Sequence, residues 1–405
     1  MDKIKIVDAR MGRGKSSAAI RYMNEHKEDK RFLYITPFLT EVDRICEACD
    51  FDQPDSDHMT KSAELKNHLR KGDNVAASHS LFYLMDEEAL AISKERGYSL
   101  IIDESIDVIS RIPTSAHDKR IIENDLTTID ESGKIVWLDP EYTGKFSEYK
   151  EAADSKQLYM IDGAIIEILN PVLLQAFQEV FILTYLFKGS ILDAYLRYFS
   201  FDYKVIGVSR DENGFRFTEE EDSPPGIDYS ELIHIVDNKR MNSVGEAKYS
   251  LAKAWYERRS YDHADIKKLR KHMDNFFRHM TTGGSDKRLW TCFKPDIAKL
   301  CGSRYRKSFL QLASRATNEY ADATDLAYLV NRYTDPNIIK FFGQRDIRID
   351  PKNFALSEML QWIWRSAIRN GNPINLYIPS RRMREYLLEW IEDIKTGGES
   401  DEPQM

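Results

Sequence analysis

The chain has 405 residues, enough for two domains, and its 42% hydrophobic and 11% aromatic content is ample for packed cores. The net charge of −8 is unevenly spread: residues 1–230 hold an acidic excess and residues 231–405 a basic one, a polarity able to present one positive face. No stretch approaches the roughly 18 apolar residues of a membrane span, Met1-Asp2-Lys3-Ile4 lacks a charged-then-apolar leader, and four cysteines make no disulfide framework, so no membrane partner and a cytoplasmic location are expected.

The first element is an apolar strand at Ile4, Ile6 and Val7. It leads into Ala9-Arg10-Met11-Gly12-Arg13-Gly14-Lys15-Ser16, and Ser17 to Met23 reads as a helix. Strand, glycine loop and helix opening on Gly-Lys-Ser predict a phosphate-binding loop. Gly12 and Gly14 let successive N–H groups curl toward an anion, and the helix N-terminus adds partial positive charge. The predicted ATP-binding set is Gly12, Arg13, Gly14, Lys15, Ser16 and Ser17. Lys15 reaches the outer phosphates and the Ser16 hydroxyl ligates Mg²⁺.

Arg31 to Thr36 is a second buried strand, closed by Pro37. Cys46-Glu47-Ala48-Cys49 has half the spacing of a zinc site without a second pair, and reads as buried thiols. Asn74 to Phe82 is a strand and helix start holding Ser78-His79. No nucleophile elbow surrounds that pair. Ser99 to Ser105 is an apolar strand ending in Asp103-Glu104. Asp103 would hold Mg²⁺ and Glu104 would polarise the attacking water. Residues 106–178 exceed what one crossover needs and form an insertion, with a helical pattern from Met160 to Phe177. Val180 to Leu186 and Lys204 to Val208 are strands. Residues 211–229 combine Asn213-Gly214, an acidic run and Pro224-Pro225-Gly226, composition suited to a hairpin and a linker.

In the second half, Leu232 to Val236 is a strand. Ala247 to Met280 is helical and basic, with Lys267, Lys268 and Arg270 as candidate nucleic-acid contacts. Its Trp255, Tyr256, Phe276 and Phe277 either stack on bases or fill a core. Arg288 to Phe293 and Phe309 to Ala313 read as strands, and Ala323 to Arg332 as a helix. Ser357 to Arg369 reads as one helix with Gln361 and Arg365 on a shared face. Ile374 to Ile378 is a strand, Arg381 to Lys395 an amphipathic helix, and residues 396–405 a disordered tail.

The pattern A-x-x-G-x-G-K-S at 9–16, Asp103-Glu104 at a strand end, and Gln361 with Arg365 resemble motifs I, II and VI of superfamily 2 helicases. Thr36-Pro37, Ser78-His79, Leu183-Thr184-Tyr185 and Arg315 to Tyr320 stand in the order of further motifs. The nearest likeness is to helicase-like bacteriophage replication proteins. There are departures: Trp364 replaces a glycine, Arg369 falls one residue late, and Tyr185 replaces an alanine. The resemblance implies an α/β chain of two RecA-like domains with parallel sheets and an ATP cleft between them. Their bounds would be 1–210 and 230–395, joined by the linker 211–229. It implies catalytic roles for Lys15, Glu104, Gln361, Arg365 and Arg369. Thr36, Pro37, Ser78 and His79 would contact a nucleic-acid backbone. The expected activity is an ATP- and Mg²⁺-dependent helicase or translocase on DNA, preferred over RNA, in replication or recombination, with a protein of those pathways as a possible partner. The alternative is an ATPase that remodels or loads a protein without unwinding.

Overall fold

Apolar runs from distant parts of the sequence become neighbouring parallel strands. The computed structural model describes residues 3–55, 59–154, 157–220, 228–312 and 320–396. The expected motif from Arg315, the Pro224-Pro225-Gly226 linker and the tail from 397 therefore lie outside the described residues, apart from Tyr320. The chain divides into two compact units: Met1–Glu221 with Thr334–Asp350, and Asp222–Tyr333 with Pro351–Met405.

The first unit opens with β1 (Ile4–Asp8), β2 (Arg31–Thr36), β3 (Val75–Ser78) and β4 (Tyr98–Asp103). The insertion then supplies β5 (Ile109–Ile112), β6 (Thr127–Ile129), β7 (Ile135–Trp137), β8 (Leu158–Ile161) and β9 (Ala164–Ile168). After it come β10 (Glu179–Thr184), β11 (Tyr203–Asp211) and β12 (Gly214–Thr218). The main sheet has the order β12-β11-β1-β10-β4-β2-β3. Every pair in it is parallel except β11 with β12. Strands buried on both faces read as near-continuous apolar runs, and β4 is buried throughout, with Ser99 and Asp103 as its polar exceptions.

Side chains alternate between the two faces. Val7, Phe32, Tyr34 and Ile101 join one core, and Ile6, Leu33, Leu100 and Ile102 join the other. The helix α1 (Lys15–His26) seals the first of these with Ala18, Ala19 and Met23. Its small residues let the helix lie close to the sheet.

Within the insertion, the segment Met160 to Phe177, expected to be helical, is strand as far as Ile168 and helical only at Val172–Gln175. β8 and β9 form an antiparallel hairpin, closed by Asp162 (φ 47°) and Gly163 (φ 69°). Two consecutive positive φ angles are what a type I′ two-residue hairpin turn requires, and Asp-Gly adopts them readily. That local preference overrode the helical spacing of the apolar residues. β5 pairs with β9, and β6 with β7, as small separate sheets.

Residues Thr334–Asp350 belong to the first unit, although the expected second domain ran unbroken from 230 to 395. The helix Pro336–Gly343 buries Ile338, Phe341 and Phe342 in the first unit's core. Phe341 packs on Tyr159 and Tyr198, with ring centroids at 5.1 and 4.6 Å. An apolar stripe of this kind must be covered, and the cover is in the first unit.

The second unit has β13 (Ile233–Ile235), β14 (Arg288–Thr291), β15 (Asp325–Tyr328) and β16 (Ile374–Tyr377). They form a parallel sheet ordered β13-β16-β15-β14. The segment expected as a helix at Ala323 to Arg332 is β15 and its continuation. Its residues from Asp325 to Val330 are all buried, a run too apolar on every side for an amphipathic helix. Phe309 makes only an isolated bridge to Trp290 and starts no strand. Tyr256, Phe276 and Phe277 are buried in this unit's core, so they do not stack on bases. Among the described residues no helix is long and apolar enough to cross a membrane.

Candidate nucleotide site

In a parallel sheet the carboxyl ends of all strands lie along one edge, where ligands bind. β1 and β4 are separated only by β10, so the loop after Asp8 and the carboxylate of Asp103 come together on that edge. Gly12 (φ 77°) and Gly14 (φ 81°) hold the left-handed conformation that turns the chain into α1. Lys15 Nζ donates to the carbonyl oxygens of Ala9 and Arg10, the second at 3.2 Å. Ser16 Oγ lies 3.3 and 3.2 Å from the two oxygens of Asp103. Tyr34 donates its hydroxyl to Asp103 Oδ2 at 2.7 Å. His79 Nε2 donates to the backbone carbonyl of Asp103 at 3.0 Å.

Asp103 is buried, and burial raises its carboxyl above the ordinary value. The hydrogen bonds from Tyr34 and Ser16 and the charge of Lys15 work the other way without overcoming it. A buried carboxylate beside a hydroxyl is an oxygen donor pair of the type Mg²⁺ uses with phosphates. Gly12 has open space where a side chain would stand. The residues present therefore fit a metal–triphosphate. Glu104 follows at φ 62°, a left-handed backbone costly for a non-glycine residue, and it is half-buried. Ser105 and Thr184 share a hydroxyl hydrogen bond of 2.7 Å, tying the ends of β4 and β10 together.

Other expected contacts fare differently. Thr36 is fully buried and its hydroxyl accepts from Phe38 N at 3.4 Å. His79 is buried against Asp103, and the Ser78 hydroxyl caps the helix His79–Tyr83 by accepting from Leu81 N. Thr36 and His79 thus support the strand ends and are not a surface for nucleic acid; Ser78 is half-buried with its hydroxyl engaged, and Pro37 is half-buried. In the second unit Lys267 and Lys268 are exposed on the helix Ala264–Asn275. Arg270 instead donates to the carbonyls of Tyr261 and Lys299 and lies 3.8 Å over the Tyr261 ring, a structural post.

The helix expected to run from Ser357 to Arg369 is Pro351–Ile363. Gln361 is on it, half-buried. Arg365 sits in the turn beyond, its N–H bonded three residues back to Trp362. Arg369 is exposed on the short helix Ala367–Asn370. Trp362 and Ile363 are fully buried, and the Trp362 indole donates to the Leu310 carbonyl at 3.2 Å. Gln361 is therefore within the helix, and Arg365 lies two residues beyond its end. Cys46 and Cys49 are free thiols, both pushed up to about 11 by burial. Tyr34 escaped the sequence reading: inside a buried strand its hydroxyl looks like core, and only the sheet order places it beside Asp103.

A glycine loop, a Lys-Ser helix start and a buried strand-end aspartate lie on one edge of a parallel sheet, and a second unit holds a further parallel sheet, so the chain is an α/β protein of two parallel-sheet units. A solved structure described as XPD_APO is similar at a TM-score of 0.50 and 12% identity, covering 95% of each chain. The structure of Xpd4 from S. tokodaii follows at 0.45 and 11%, covering 96% of this chain and 94% of that one. In sequence, the chain is 33% identical over 411 residues to the SPbeta prophage-derived uncharacterized protein YonV of Bacillus subtilis (strain 168), covering 97% of this chain and 100% of that protein. The YonV middle domain matches residues 109–168 and the YonV C-terminal Rossmann-like domain residues 227–391. The chain belongs to the YonV family.

Proposed function

We propose that this protein is a nucleic-acid-dependent ATPase, a DNA helicase or translocase serving the replication or recombination of a phage or mobile element. The observation that carries the reading is the Ser16 hydroxyl within 3.3 Å of both oxygens of the buried Asp103 carboxylate, at the mouth of the glycine loop. The fold shared with XPD and the prophage origin of the relative support it.

In this reading Ser16 and Asp103 hold Mg²⁺, which when bound neutralises phosphate charge. Lys15 exchanges its bonds to the Ala9 and Arg10 carbonyls for phosphate oxygens. The backbone N–H groups of Arg13 to Ser17 cradle the phosphates at the α1 N-terminus. Glu104 takes a proton from the attacking water. Gln361 orients, and Arg365 with Arg369 supplies positive charge to the transferring phosphoryl group. Lys267 and Lys268 neutralise phosphates of a DNA track.

The deciding measurement is ATP turnover by the full chain alone and with single-stranded DNA, duplex DNA or RNA at low salt. Stimulation by DNA that fades as salt rises is expected. Turnover indifferent to every nucleic acid would favour the protein-remodelling ATPase.

A further inference from the structure

β11 is nine residues long, but β1 pairs with it only as far as Val7 with Ile206. From Gly207 to Asp211 its partner is β12. The β11–β12 hairpin therefore runs on past the carboxyl end of β1, where the glycine loop begins. Ile206 and Val208 face the core that α1 seals, so alternation puts Arg210 on the same face. The register sets Arg210 opposite Phe215 and Val208 opposite Phe217. The exposed Arg210 guanidinium lies 5.5 Å over the Phe215 ring.

That ring lies against Gly14, and a side chain at Gly14 would run into it. The hairpin is latched to α1 by Arg21, which bonds Asp211 Oδ1 at 2.7 Å. Asp211 also accepts from Asn213 N at 2.8 Å, shaping the tip. Asp103 lies to one side of β1, beyond β10, while β11 and β12 lie to the other. A nucleotide whose terminal phosphate meets Ser16 and Asp103 then carries its base toward the hairpin. On that hairpin the Phe215 ring is half-buried, with the Arg210 guanidinium over it.

We propose that Phe215, with Arg210, is the stacking platform for the base of the bound nucleoside triphosphate, with purines preferred for their larger π-face. The assignment rests on the nucleotide reading given above. Every base has a π-face, so stacking gives affinity with little discrimination between adenine and guanine.

The test compares two ligands on the full chain by calorimetry: a non-hydrolysable ATP analogue, and inorganic tripolyphosphate, which has the phosphates without a base. Wild type should bind the analogue more tightly than tripolyphosphate. Phe215→Leu keeps apolar contact with Gly14 but loses the ring. It should weaken the analogue roughly tenfold and leave tripolyphosphate within about twofold. Phe215→Trp should restore the analogue, and Arg210→Ala should weaken it a few-fold. Equal loss of both ligands in Phe215→Leu would make the ring a prop for the loop and overturn the assignment. So would a wild type that binds tripolyphosphate as well as the analogue. Binding of neither ligand would remove the nucleotide reading and this assignment with it.

Discussion

Replacing Tyr34 by Phe isolates the most consequential buried contact at the candidate site. The phenol is fully buried and gives Asp103 Oδ2 a 2.7 Å hydrogen bond. Phe preserves the packing of Tyr34 in the α1 core and removes only that donor. The lost bond is to a carboxylate, so its removal should cost about 1.5–3 kcal/mol. For a cooperative unit of this size, roughly 2–4 °C accompanies each kcal/mol. The first unit should therefore melt about 3–12 °C lower.

The loss should depend on pH, with a definite sign. Burial already raises Asp103 above its ordinary 3.8. Between that value and the raised one, the folded state holds more protons than the unfolded state, so the stability carried by this carboxyl falls as pH rises. The tyrosine bond favours the ionised form, and without it the carboxyl moves up further. The melting deficit of Tyr34→Phe should therefore grow, never shrink, as pH rises through the raised value. Scanning calorimetry across a pH series, without nucleotide, reads this directly. A deficit that shrinks as pH rises would refute the account of Asp103 as a buried carboxyl whose ionised form Tyr34 favours.

Three further outcomes test the chemistry. Lys15→Ala should lower ATP turnover by orders of magnitude while the fold persists, since Lys15 Nζ donates to the loop carbonyls of Ala9 and Arg10; normal turnover in the folded variant would remove the phosphate loop from the mechanism. Glu104→Gln should bind the ATP analogue as wild type does, in calorimetry, yet hydrolyse ATP at least about 100-fold more slowly; lost binding would mean that Glu104 holds the ligand. Arg365→Ala should leave analogue affinity within roughly tenfold and cut turnover by about 10³, and the same assay on Arg369→Ala decides which arginine acts, because the turn after Ile363 gives them different settings.

The glycine loop and the Asp-Glu strand end were legible in the sequence because each is a local device. Positive φ at Gly12 and Gly14, and a buried run closing on two carboxyls, depend on residue types at short spacing. The same holds for the strand character of β1, β2, β4, β10 and β16, whose apolar runs allow little else. Local signals also misled. Apolar spacing from Met160 to Phe177 suggested a helix until the Asp162-Gly163 turn is weighed, and β15 reads equally as a buried helix because a run apolar on every side has no periodicity to separate the two.

What the one-dimensional pattern could not hold is who sits beside whom. Thr36 and His79 occupy strand ends where a backbone contact is expected, yet the neighbouring strands bury them. Residues 334–350 carry an apolar stripe, but which unit covers it depends on the position of Tyr159 and Tyr198, over a hundred positions earlier. Tyr34 meets Asp103, and Phe215 meets Gly14, through sheet order and register. Those are set by the packing of both sheet faces at once, because parallel strands have no connecting turn to specify which pairs form.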